Sequence, residues 1–350
     1  VQTDYIIIGQ GICGTLLSYF LQKGGKRVVM VDDREPGASS RVASGLMNPV
    51  TGKRIVQSWM IDELMPFAVK TYRELEKELE VTLLSQTNVL EFFASREEQE
   101  VFRKRVEEGN KYLNEQDAAG TVGFFRYNYG VGEIHPCYLL NLQALLPAWR
   151  ERLRSSGMLI EEIFDARRLL VERDTVRYKD IQAKSVIFCT GTRSFQNTWF
   201  ANLPYSTNKG EALIARIEGL PRTNVYKYGI KIAPWQDDLF WIGASFEWKY
   251  DDLSVSTAYR KKVEDILQYW LKLPYEIVEH LVSERPSTVD YKPFVGFHPL
   301  VPQVGIFNGM GSKGCTQAPY FASMFAEHIL SGTALQPDVD IKRFARILSR

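Results

Sequence analysis

A four-residue apolar run, Tyr5-Ile6-Ile7-Ile8, stops at Gly9, after which Leu16, Leu17, Phe20 and Leu21 recur at helical spacing across residues 15–22. Gly24-Gly25 closes that helix, and a second apolar run, Val28 to Val31, ends at Asp32 and Asp33. The pattern predicts strand, tight turn, helix, strand, acid. Further along it predicts a long amphipathic helix over 60–79, with Leu64, Phe67, Ala68, Thr71, Tyr72, Leu75 and Leu79 on one side. A strand over 89–93, a charged helix over 97–112, a helix over 136–153 and a strand series opening at 157–163 follow. Residues 185–192 form an apolar strand that breaks at Gly191. From Gly210 the runs 211–217, 225–234 and 239–246 are rich in aromatic and β-branched residues, with Gln236-Asp237-Asp238 as a hairpin turn. Helices are predicted over 256–271 and 274–280. A last apolar run, Val304 to Asn308, meets Gly309, and a helix is predicted over 317–330 with Thr316 as cap, Pro319 in the first turn and Gly332 as the stop.

Two glycine turns therefore feed helices at opposite ends of the chain. In the first, Gly9-Gln10-Gly11-Ile12-Cys13-Gly14, Gly9 allows the turn, Gly11 allows backbone to approach a pyrophosphate, and Gly14 lets the helix pack on the sheet. The phosphates would sit at the helix N-terminus, and Asp32 can accept from a ribose diol of NAD or FAD. The loop Pro36 to Gly45, followed by Leu46-Met47-Asn48-Pro49, offers hydroxyls and backbone N–H groups to a second phosphate. In the second turn, Gly309-Met310-Gly311-Ser312-Lys313-Gly314, a helix N-terminus can stabilise the negative charge of a reduced flavin, which favours FAD over NAD. The cofactor contacts expected are Gly9, Gly11, Ile12, Cys13, Gly14, Asp32, Asp33, Ser39, Ser40, Arg41, Ala43, Ser44, Gly45, Met47, Asn48, Thr190, Gly191, Gly309, Gly311, Ser312, Lys313 and Gly314.

Composition narrows the class. At 350 residues, two lobes built from interleaved segments are expected. The 43 Lys plus Arg against 42 Asp plus Glu leave a net charge of +1 and no basic stripe, so charge gives nucleic-acid binding no support. The cysteines, Cys13, Cys137, Cys189 and Cys315, form no CxxC pair, which argues against a zinc site or disulfide scaffold. With no bilayer-length apolar run and a strand beginning by Asp4, a soluble cytoplasmic protein is the expectation.

The combined motifs resemble the FAD-dependent D-amino-acid oxidase superfamily, which includes glycine oxidase, sarcosine oxidase and the FAD domain of the bifunctional tRNA wobble-uridine modification enzyme. The resemblance is carried by the N-terminal dinucleotide turn, by Ala38 to Gly45 as an Ala-Ser-x-Arg-type loop, and by Thr190-Gly191 as a strand end. It also rests on Arg285-Pro286-Ser287-Thr288-Val289-Asp290-Tyr291-Lys292-Pro293-Phe294-Val295-Gly296, and covers nearly the whole chain in the family's order. The closing turn and Ala318-Pro319 look most like the tRNA-modifying branch, with Lys313 where that branch carries arginine, although no methyltransferase domain is attached. The resemblance implies an α/β fold in which a Rossmann-like FAD-binding domain of the glutathione-reductase type interleaves with a mixed-sheet substrate domain of the D-amino-acid oxidase type. The expected FAD-binding segments are 1–60, 135–209 and 284–350; the substrate domain takes 61–134 and 210–283. Family members that tether the flavin use a cysteine near the late arginine segment; this chain has Glu284 and Arg285 there, so FAD is expected to be held non-covalently.

The resemblance also implies oxidation of an amine C–N bond by hydride transfer to flavin N5 and hydrolysis of the imine, with oxygen or another electron acceptor closing the cycle. The substrate is a small-molecule amine of the glycine, sarcosine or D-amino-acid type, with a carboxymethylaminomethyl group of a tRNA wobble uridine as the alternative. Arg285, then Lys53 and Tyr228, are the candidates for gripping a substrate carboxylate, with Lys313 beside the flavin and Arg54, Lys227 and Lys231 nearby in sequence. His135, His280, His298 and His328 show no base-like pairing and are assigned structural or surface places. An NAD-dependent dehydrogenase would be colourless, whereas a non-catalytic flavin-binding protein would be yellow and unbleached by amines.

Overall fold

The computed structural model describes residues 1–52, 54–116 and 118–349. A six-stranded sheet runs in the order Phe294–Phe297, Val304–Asn308, Ser185–Phe188, Tyr5–Ile8, Val28–Val31, Leu159–Ile160, parallel except for Phe294–Phe297. Four of these, Tyr5–Ile8, Val28–Val31, Ser185–Phe188 and Val304–Asn308, are buried at every residue, as a parallel sheet covered on both faces requires. The helices after the two glycine turns, Ile12–Lys23 and Gly314–Ser331, pack together through Leu16, Leu17, Phe321, Ala322 and Phe325. Because only Ser185–Phe188 separates Tyr5–Ile8 from Val304–Asn308, the two turns leave the same sheet edge close together.

The larger sheet has nine strands, ordered Glu276–Arg285, Asn208–Arg216, Leu239–Gly243, Ile230–Pro234, Val225–Tyr228, Leu84–Phe92, Val131–Leu140, Leu46–Met47, with Leu113–Gln116 also on Val131–Leu140. One face is closed by helix Thr257–Trp270 over Leu213, Ile232, Phe240 and Ile242. A three-stranded antiparallel meander covers 169–183. The expected domain borders at 134/135, 209/210 and 283/284 each fall inside a strand of the larger sheet.

Long-range pairing overrides several local patterns. Residues 136–140 end the strand Val131–Leu140, and the helix starts only at Leu142 under an Asn141 cap. His135 and Pro136 sit at a register shift opposite Asn88, and a bulge is where a proline, lacking its N–H, is tolerated in a sheet. The helix predicted over 274–280 is instead the edge strand Glu276–Arg285, paired along its length with Asn208–Arg216. The charged helix stops at Glu107, leaving 113–116 to a strand. Residues 225–234 are not one strand but a tight hairpin at Gly229, which sits at φ +67°.

The closing helix begins at Gly314, three residues before the predicted start, so Pro319 lies inside it rather than in the first turn. Pro319 has no N–H for the carbonyl of Cys315, and the fully buried Tyr72 supplies the missing donor: its hydroxyl donates to that oxygen at 2.7 Å. Gly332 ends the helix in the left-handed conformation, as expected. Tyr72→Phe leaves the Cys315 oxygen unpaired and is expected to cost about 1–3 kcal/mol. Calorimetry checks this; an unshifted melting midpoint counts against the role.

Candidate active site

One cavity of about 1460 Å³ is lined from both large sheets. Its first wall is the set of turns at the carboxyl ends of the parallel strands. Gly9, at φ +98°, lies so close to the neighbouring strand that a Cβ there would be 2.6 Å from the Cys189 oxygen. A Cβ on Gly14 would lie 1.9 Å from the Gly9 oxygen, so the helix can approach the strand only through glycine. The Ser40 hydroxyl accepts from Ile12 N–H at 3.1 Å, and Gly11 leaves room for that hydroxyl. Neither Gly11 nor Lys313, the N-cap residues of the two helices, makes a side-chain cap, and an ideal Cβ on Gly314 would be 3.2 Å from Ile12 Cγ2. The positive ends of both helices therefore meet at one cavity, a site for anionic groups.

Asp32 marks the far end of this wall. Its carboxylate accepts from Gln10 N–H and Arg34 N–H, each at 2.8 Å, and from Arg150 Nη1 at 2.6 Å. Arg150, only 3% exposed, also donates to the Asp32 carbonyl oxygen and to Glu161. Arg41 stands 3.8 Å from the same carboxylate, and Asp33 pairs with Arg193 at 2.8 Å. Asp32 keeps acceptor capacity for a ribose hydroxyl while being fixed from behind. Arg150 was invisible to motif reading, yet it left a signal. It is a cation set among Leu146, Trp149 and Leu153 on the apolar face of its helix, where an unpaired charge would not be tolerated.

The opposite wall is a face of the nine-stranded sheet. Glu91, Lys227 and Lys231 occupy facing positions on three neighbouring strands, and Lys227 bonds Glu91. Trp241 closes part of this wall, its indole donating to the Val42 oxygen at 2.9 Å. Arg285 enters from the edge strand, donating from Nη1 to Asn208 Oδ1 at 2.6 Å and from Nη2 to the Ser245 oxygen at 3.2 Å, with Phe246 stacked 4.2 Å from it. Lys313 donates to the Asn48 oxygen at 3.3 Å and to Ser58 Oγ at 3.2 Å. Burial pushes Lys313 down to about 8 and Arg285 down to about 10, since neither contacts a carboxylate.

Most of the expected contacts line this cavity: Gly9, Gly11, Ile12, Cys13, Asp32, Asp33, Ser39, Ser40, Arg41, Ala43, Ser44, Asn48, Thr190, Gly191, Gly311, Ser312, Lys313, Gly314 and Arg285. Gly14, Gly45, Met47 and Gly309 do not line it; they shape the turns from beneath. Gly45 approaches the Leu140 oxygen and Gly309 approaches Thr288, while Met47 is buried in the core. The structure takes Tyr228 away from the cavity. Next to the Gly229 turn its side chain points to the other sheet face and stacks on Tyr269 and Trp270. Lys53 lies outside the described residues. No histidine lines the cavity among the described residues; His280 instead lies 2.8 Å from the buried Glu211. The four cysteines are free. Among the described residues no cluster suits a metal, and no helix is long and apolar enough to cross a membrane.

Residues 4–328 match the family model described as FAD dependent oxidoreductase, DAO. The chain belongs to this family. It is thus an FAD-dependent oxidoreductase with a Rossmann-like region and a mixed-sheet substrate region, and the glycine cradle, the paired helix N-termini and the pinned Asp32 fit that cofactor. The uncharacterised oxidoreductase YurR of Bacillus subtilis (strain 168) is 24% identical over 360 residues, covering 93% of this chain and 95% of its own. Glycine oxidase from Bacillus cereus superposes with a TM-score of 0.78 at 17% identity, over 95% of this chain and 96% of that one. Iminodiacetate oxidase from Chelativorans sp. BNC1 gives 0.75 at 20% identity, over 95% and 97%. L-proline dehydrogenase from P. horikoshii gives 0.76 at 19% identity, over 99% and 98%. None of these names refers to tRNA, so they lend the tRNA-modifying branch no support.

Proposed function

We propose that the chain oxidises the carbon–nitrogen bond of an amino-acid-like primary or secondary amine, giving an imine that water hydrolyses. The observation that carries this reading is the convergence of two helix N-termini with Arg285 and Lys313, cations without carboxylate partners, on one cavity. The three structural relatives named above support it, each being named for an amine that carries a carboxylate. FAD, when bound, accepts the hydride equivalent at N5 and returns the electrons to oxygen or another acceptor.

The chain's own residues bind and orient. Arg285 spends two of its five N–H groups on Asn208 and Ser245, leaving three to grip a carboxylate, and Phe246 covers one face of the guanidinium. Lys313, at the start of the closing helix, adds its charge to that helix end where negative charge develops. The cations of this wall also disfavour a substrate ammonium, and only the neutral amine has the lone pair that drives C–H cleavage. FAD is held without a covalent bond: burial pushes the thiols of Cys13 and Cys315 up to about 12, keeping both protonated.

Lys313 sets a pH dependence. With its ammonium losing a proton near 8 in the free site, anion binding is strong below that pH and weakens above it. The expected result is a kcat/KM for a carboxylate-bearing amine that falls above about pH 8, and a Lys313→Met variant that lacks this falling limb. The reading itself is tested by anaerobic titration with glycine, sarcosine, D-amino acids, proline and carboxymethylaminomethyl-uridine. Flavin bleaching by at least one supports it, and yellow protein that no amine bleaches makes this a non-catalytic flavoprotein. Acid precipitation should release all the flavin into solution.

A further inference from the structure

Besides Arg285 and Lys313, the cavity is lined by another cation with no carboxylate partner among the described residues, Lys231. Across the sheet face Glu91, Lys227, Lys231, Gly243 and Ala212 stand in register on five successive strands. Glu91 neutralises Lys227, and the row then changes character. Lys231 makes no hydrogen bond or ion pair among the described residues; burial and the charges of Lys227, Lys313 and Arg285 push it down to about 8, against the opposing pull of Glu91, which is bonded to Lys227. Beyond it come Gly243 and Ala212, and the absence of a side chain at Gly243 lets the Trp241 ring lie across that position, 3.0 Å from where a Cβ would be. Ala212, Lys231, Arg285 and Lys313 all line the cavity.

An ammonium left without a partner of its own in a partly desolvated space is costly, and such a group persists where a ligand supplies the anion. The three free N–H groups of Arg285 can grip one carboxylate, and Lys313 stands at the start of the closing helix. Lys231 is left over, on a strand that carries neither of them and lining the same cavity. Resting on the amine-oxidation reading of this site, we propose that the substrate carries a second carboxylate, received by Lys231: an amine bearing two acid groups, such as an N-carboxyalkyl amino acid.

Two measurements on the flavin-loaded enzyme test this. Thiodiacetate and methylthioacetate differ in one carboxylate and lack the oxidisable nitrogen, so their binding can be read from the flavin spectrum and from the melting midpoint. The dicarboxylate is expected to bind about tenfold tighter or more, as a charge-assisted contact in a desolvated site would give. Lys231→Met should bring the ratio close to one and Lys231→Arg should restore most of it. Equal binding of the two probes by the wild-type enzyme overturns the proposal without need of any variant, and so does a Lys231→Met protein that weakens both probes alike. In parallel, iminodiacetate should reduce the flavin with a higher kcat/KM than sarcosine. If glycine and sarcosine bleach the flavin as well as iminodiacetate does, the second-carboxylate proposal fails while amine oxidation stands; if neither these nor the D-amino acids, proline and the modified uridine bleach it, the amine reading fails as well.

Discussion

A Gly14→Ala protein is expected to purify without flavin. The added methyl would lie 1.9 Å from the Gly9 carbonyl oxygen and 3.4 Å from Cys189 Cβ, so the opening helix must retreat from the strand that carries the first turn. Gly9 cannot give way, since it is held at φ +98° against the Cys189 carbonyl. Retreat of the helix also pulls Ile12 from Ser40 and separates the two helix N-termini, removing the shared positive end that receives the cofactor. Overpacking of this kind costs about 1–3 kcal/mol before any loss of ligand. Losing a tightly bound cofactor removes its linked stabilisation too, roughly 4 kcal/mol at a thousandfold excess over Kd. Visible absorbance per mole of protein reads the outcome directly. Gly123→Ala, where an added Cβ meets nothing within 4 Å, is the control that should stay yellow. Wild-type flavin content in the Gly14 variant would remove the first turn from the cofactor site.

That turn was legible because everything it needs is local. Strand, glycines, helix and acid lie within the first 33 residues; Gly14 answers to Gly9 inside that unit, Gly11 to Ser40 just after it, and Gly9 to Cys189 at the end of the adjacent strand. The closing turn was legible for the same reason, although the helix takes in Gly314 and Cys315 because a tyrosine from a distant helix satisfies the carbonyl that Pro319 leaves open. Legibility ended where partners are far apart in sequence. The segment 276–285 has apolar residues on a spacing that suits a helix turn, and only pairing with 208–216 makes it a strand. At 225–234, β-branched and aromatic residues fit one long strand, and a single glycine folds it back on itself. That fold brings Lys227 and Lys231 face to face on the cavity side and turns Tyr228 to the other side, toward Trp270. Arg150 reaches Asp32 over 118 residues of separation, beyond any motif.

Arg285 and Gly210 give the second large effect, and the two act as one device. Asn208–Arg216 and Glu276–Arg285 are antiparallel neighbours, and the Arg285 guanidinium folds across Gly210: an ideal Cβ there would lie 2.1 Å from Nη2 and 2.4 Å from Cζ. Arg285→Met should raise KM for an amino-acid substrate about 100-fold, near the upper value for losing a charged hydrogen-bonded contact, with kcat changed much less. Arg285→Lys should recover only part, because an ammonium keeps the charge and loses the fork. Gly210→Ala should weaken binding by about tenfold by displacing the guanidinium, with flavin content retained, since residue 210 lies on the sheet wall opposite the glycine turns. The decisive measurement is the double variant. Once Arg285 is methionine, the Gly210 methyl has no guanidinium to displace, so Arg285→Met with Gly210→Ala should bind no worse than Arg285→Met alone, the non-additivity expected of residues in contact. Fully additive losses in KM would mean that Gly210 acts on the sheet and not through Arg285, and that the guanidinium is a structural cation and not the carboxylate grip.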